Sequence, residues 1–68
     1  MNIIYPSDAF MVVTGTKKEV EGMAPVGAMK DYQPDAFFTG WDFWTRRNEY
    51  VGMMFCEGPN KWVGVFPA

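Results

Sequence analysis

Histidine is absent from the 68 residues, so the commonest general base and the commonest zinc ligand are both missing. The single cysteine, Cys56, can build neither a thiolate-rich metal site nor an internal disulfide. As a nucleophile it would need a basic neighbour to lower its pKa, and Phe55 and Glu57 supply none. A small packed hydrophobe in a strand is its expected role. The acids look no more catalytic. Glu19 and Glu21 stand beside Lys17 and Lys18 as on a solvated surface, and Asp31 and Asp35 flank a Tyr-Gln-Pro loop without calcium-loop spacing. Neither G-x-x-x-x-G-K-[ST] nor G-x-G-x-x-G occurs, so no phosphate-cradling loop is present. The expectation is a non-enzyme with no catalytic residues, no cofactor and no metal. One acid has a different setting. Asp42 lies between Trp41 and Phe43, placed to bond Tyr50 or Arg46 locally or to orient an arginine from a partner.

What remains is recognition chemistry. The chain is 49% hydrophobic with 6 Phe, 3 Trp and 3 Tyr, and all three tryptophans follow residue 36. Sixty-eight residues predict a single small domain, 1–68, near the lower limit for folding without staples. Net charge is −2 with six bases against eight acids, which gives little general attraction to phosphate. No apolar run approaches the length that spans a bilayer, and no basic start leads into an apolar core. With a lone cysteine, these features predict a cytoplasmic protein that does not enter membranes.

The elements that must carry the aromatics are strands. Phe37 to Thr45, Glu49 to Cys56 and Lys61 to Phe66 are rich in aromatic and β-branched residues. Arg46-Arg47-Asn48 and Glu57-Gly58-Pro59-Asn60 between them suit hairpin turns, so a three-stranded meander is expected. Phe10 to Thr14 predicts another strand. Lys18 to Met23 is expected to be a strand as well. A short helix competes there, because Thr16 with Glu19 fits a capping box that Gly22 would end. Three V-G-x-apolar segments, at Val26, Val51 and Val63, suggest strands with glycine at crowded positions. The fold class is therefore mostly β. It is a small antiparallel sheet or a partly closed SH3-like or OB-like barrel of four to five strands, with room for one short helical turn.

Side chains alternate across a strand, so hairpin register sorts them into two faces. With Phe43 opposite Val51 and Met53 opposite Val65, the expected core face carries Trp41, Phe43, Val51, Met53, Phe55, Val63 and Val65. The other face carries Asp42, Trp44, Tyr50, Gly52, Met54, Cys56, Trp62, Gly64 and Phe66. A face meeting only water should be polar, and this one is not. Either residues 1–36 cover it, with Ile3, Ile4, Phe10 and Met11 as fillers, or it is a binding face. In the second case Trp44, Arg46, Arg47, Tyr50, Met54, Trp62 and Phe66 are the partner-binding residues, an aromatic patch with an arginine rim.

Three functions fit. The first is a small protein–protein interaction module, such as a phage- or mobile-element-encoded inhibitor docking on a larger host protein. The second is a single-stranded nucleic-acid binder, stacking bases on Trp44, Tyr50 and Trp62 with Arg46, Arg47 and Lys61 on phosphates. The third is a structural homo-oligomer, a homodimer or virion component that buries the aromatic face in its own copy.

Overall fold

Stiff β-branched and aromatic residues fill the strands, and a capping box marks the place where the backbone turns helical. The computed structural model describes residues 1–32 and 40–68. Among them are β1 (Asn2–Ile4), β2 (Phe10–Gly15), α1 (Lys17–Glu21), β3 (Met29–Tyr32), β4 (Gly40–Trp44), β5 (Tyr50–Gly58) and β6 (Lys61–Pro67). The six strands form one antiparallel sheet in the order β1-β2-β6-β5-β4-β3. No helix among the described residues is long and apolar enough to cross a membrane.

The mostly-β antiparallel class is as expected. The sheet has six strands rather than four or five, and it does not close into a barrel. The connection carrying α1 takes the chain from β2, next to one edge, to β3 at the far edge, so β1 and β3 remain edges. The meander of β4, β5 and β6 is present, with Asn48 and Asn60 at positive φ in its turns. The expected first strand of that meander began at Phe37; its part before Gly40 lies outside the described residues, as does Asp35.

Over residues 18–23 the helix, not the strand, is observed. Thr16 Oγ1 accepts the Glu19 backbone N–H at 3.2 Å, and the Glu19 carboxylate accepts the Thr16 N–H at 3.0 Å. Two orphan donors are thereby satisfied within one turn. Gly22 ends the helix, its N–H returning to the Lys18 carbonyl at 3.0 Å. Five residues are too few for a helix to persist in water on propensity alone. Packing holds it: Val20 is fully buried against the sheet.

That packing decides which face is the core. Met11, Val13, Val20, Phe43, Met54 and Phe66 are buried, with Ile3, Met23, Ala24, Ala28, Trp41, Val51 and Trp62 packed around them. The core is thus the Met54–Phe66 face: Trp41, Phe43 and Val51 are on the core side as expected, while Met54, Trp62 and Phe66 take the place expected for Met53, Phe55, Val63 and Val65. Gly64 explains why α1 can come so close. A Cβ there would stand 2.6 Å from Val20 Cγ1 and 2.6 Å from Phe66 Cε2.

The capping box yields a prediction. Thr16→Ala should lower stability by about 1 kcal/mol, read as a shift in urea midpoint. The Glu19 carboxylate is held below its ordinary range, first by the Thr16 N–H and then by the N-terminal ammonium 3.6 Å away. A depressed folded pKa means stability that is present above the ordinary carboxylate pKa and lost as pH falls through the lower folded value. Urea midpoints of the wild type should therefore drop below about pH 4 more steeply than those of Glu19→Gln. Equal slopes would show that the box contributes nothing ionic.

Candidate functional site

One row of directly paired residues crosses all six strands on the face opposite α1. It reads Ile4, Val12, Val65, Met53, Asp42, Asp31 from the β1 edge to the β3 edge. The row is apolar over four strands and acidic over the last two. Beside it lies Tyr50–Trp44–Met29, and on its other side Thr14–Val63–Phe55. Among the described residues no element packs on this face; α1 contacts β2, β5 and β6 from the other side. Val12, Met53, Val63 and Val65 are half-buried, and Ile4, Phe10, Met29 and Tyr50 are exposed. An antiparallel sheet with a solvated face normally alternates apolar with polar residues. Here the face that no described element covers is itself apolar.

A β-bulge sets this arrangement. Asp42 pairs with Met53 and Trp44 with Tyr50, so Phe43 faces two residues of β5, Val51 and Gly52. Gly52 accommodates it with φ +126°. The extra residue turns Trp41 and Phe43 to the core side and leaves Asp42, Trp44 and Tyr50 on the open side. Trp44 and Tyr50 meet edge to face, with centroids 5.2 Å apart and planes at 75°. The Tyr50 hydroxyl donates a long hydrogen bond of 3.4 Å to Asp42 Oδ1. Partial burial first, and the Asp42 charge second, push the Tyr50 phenol above its ordinary pKa. The local role of Asp42 towards Tyr50 is therefore observed.

Two depressions flank this aromatic pair. One, of about 320 Å³, runs from Phe10 and Pro67 across Val65 and Met53 to Tyr50. The other, of about 520 Å³, lies between Met29, Asp31, Trp44 and Asn48 at the β3 edge.

The seven expected partner-binding residues do not share a face. Trp44 and Tyr50 lie on the open side. Met54 and Phe66, at 0% and 1% exposure, are core, because Gly52 and Gly64 leave space that the Phe66 ring fills. Trp62 is half-buried on the helix side, its ring centroid 5.5 Å from that of Trp41. The Lys17 ammonium sits over both rings, at 5.1 and 5.7 Å, and Lys30 stands 5.1 Å over Trp41 while pairing with Glu21. The Trp41 indole N–H is buried there without a hydrogen-bond partner among the described residues. Arg46 and Arg47 are exposed in the β4–β5 turn, lining a groove with Pro25–Ala28.

The expected core residues Met53, Phe55, Val63 and Val65 are instead on the open face, with Ile4 and Phe10, which had been expected as fillers. Phe10, Val12 and Thr14 alternate in the sequence with Met11 and Val13, a period-2 signal that points to this face once β2 is placed beside β6. Met29 and Asp31 carry no comparable signal. Arg46 and Arg47 lie at one end of β5 and Lys61 at the other, about 30 Å apart along nine residues. Trp62 is on the opposite face from Trp44 and Tyr50, so these residues do not form one track for a nucleic-acid strand. Among the described residues no group of three or more Cys, His, Asp or Glu is close enough to hold a metal ion. Comparisons with protein-family models, curated proteins and solved structures returned no match for this chain.

Proposed function

We propose that this chain is a small, non-catalytic protein–protein interaction module that docks on a larger protein through the open face of its sheet. The reading rests on the apolar row Ile4–Val12–Val65–Met53. Such a face exposes apolar area that contributes nothing to the core, and contiguous apolar patches of several hundred Å² on monomers commonly mark interaction sites. Trp44 and Tyr50 are the anchor residues of this surface, being large, rigid and half-exposed or exposed beside depressions. An inhibitor or adaptor would use such a face directly, by covering a surface that its target needs.

The double substitution Met53→Lys/Val65→Glu, which places opposite charges on directly paired positions, tests the reading. Both side chains are only half-buried, so circular dichroism and the urea midpoint should stay close to wild type, within about 1 kcal/mol. Binding to the partner in a pull-down should be lost. If the variant unfolds, the face is interior and the docking reading falls.

A further inference from the structure

The open face is not only apolar; its charge is one-sided. Asp42 and Asp31 are direct cross-strand partners at the β4–β3 end of the row. Like charges directly opposite one another on a sheet repel. The cations are placed elsewhere. Lys17 and Lys30 lie over the Trp41–Trp62 side, Lys61 pairs with Glu57 at the β5–β6 hairpin, and Arg46 and Arg47 line the groove with Pro25–Ala28. Lys30 reaches the rim of the Trp44 depression, but its ammonium is engaged with Glu21 and the Trp41 ring.

We propose that the depression bounded by Trp44, Met29 and Asp31, with Asp42 and Tyr50 beside it, receives an arginine side chain carried on an apolar segment of the protein partner. This rests on the docking reading above and names the chemistry of the partner. A guanidinium is flat, weakly hydrated and well suited to stacking on an indole while donating to carboxylates. Trp44 supplies the ring, fixed at 75° to Tyr50, and Asp31 and Asp42 supply acceptors on the same face. The apolar residues flanking the arginine would then lie over Met53, Val65 and Val12, the next positions along the row. Complementarity also argues against a second copy as occupant. Two such faces would bring acidic residues, and no cation of the row, into a single interface, and like charges there oppose association.

Two capped tripeptides test the proposal on the intact chain: acetyl-Leu-Arg-Leu-amide and acetyl-Leu-Gln-Leu-amide. They are titrated against isotope-labelled protein while the Trp44 indole N–H and the Met53, Val63 and Val65 methyl signals are followed by NMR. The arginine peptide should shift these signals saturably and bind about fivefold tighter than the glutamine peptide, the scale of one partly screened ion pair with ring stacking. In Asp31→Asn/Asp42→Asn the advantage should vanish. Asparagine keeps an oxygen for the Tyr50 hydroxyl and relieves the like-charge pair, so this variant should fold. Equal binding of the two peptides to wild type would overturn the arginine assignment and leave the apolar docking face standing. If neither peptide shifts the face signals, both readings fall. Concentration-dependent dimerisation in sedimentation, with the same methyl signals shifted by self-association, would also overturn the assignment and give the face to a second copy.

Discussion

Gly52→Ala should remove a large part of the chain's stability. Gly52 sits at φ +126°, a conformation that residues with a Cβ hold only under strain, at roughly 1–3 kcal/mol. The added methyl would also press on the Val65 carbonyl oxygen and stand 2.6 Å from Phe66 Cδ1. The carbonyl belongs to the central strand pair, so it cannot yield without moving β6. Overpacking of this kind adds about 1–3 kcal/mol. Together the two effects reach about 4 kcal/mol, against a total stability of about 3–10 kcal/mol for a domain this size. Urea denaturation followed by circular dichroism would show a transition shifted far towards low denaturant. Gly58→Ala is the matched control, because its Cβ would meet nothing within 4 Å and should change the midpoint little. A normally stable Gly52→Ala would mean that the β5 bulge is absent. Trp44 and Tyr50 would then be turned off the open face, and the proposed site would go with them.

That dependence on one glycine explains how much of the site could be read from the sequence. The pairing of β5 with β6 follows from the turn residues, and Met53 does face Val65 as expected. Alternation then fixes Met54, Cys56, Trp62, Gly64 and Phe66 on one side. Two things could not be read the same way. A bulge is one extra residue with no compositional mark beyond a glycine, so the core residues Trp41 and Phe43 are expected beside Met53 and Val65 but share their face with Met54 and Phe66 instead. The identity of the covered face was the second. Both faces of the meander are apolar, and the choice between them depends on where residues 16–28 pack. Thr16, Glu19 and Gly22 do carry a helix signal. It competes with the strand tendency of Val20 between two charged residues, and local propensity cannot rank the two. Tertiary packing decides, through the space that Gly64 leaves for Val20.

Phe66→Ala and Trp44→Ala, which the sequence places in one class, should separate completely. Phe66 is 1% exposed and contacts Phe43 edge to face, with centroids 5.4 Å apart and planes at 71°. Its ring fills the space over Gly52 and Gly64, where no neighbouring side chain of those residues can collapse inward. Truncation should cost about 3–5 kcal/mol, a large part of the total stability. Trp44 is half-buried at the margin of a surface depression, and its chief partner is the exposed Tyr50. Its truncation should cost about 1 kcal/mol, the worth of one aromatic pair, and leave the circular dichroism spectrum intact. Partner binding should nevertheless fall by roughly 2 kcal/mol or more if Trp44 anchors the docking face. The two midpoints, measured side by side, decide which face is interior. If Trp44→Ala unfolds while Phe66→Ala stays folded, the helix covers nothing essential, and the docking surface has to be sought on the Met54–Phe66 side.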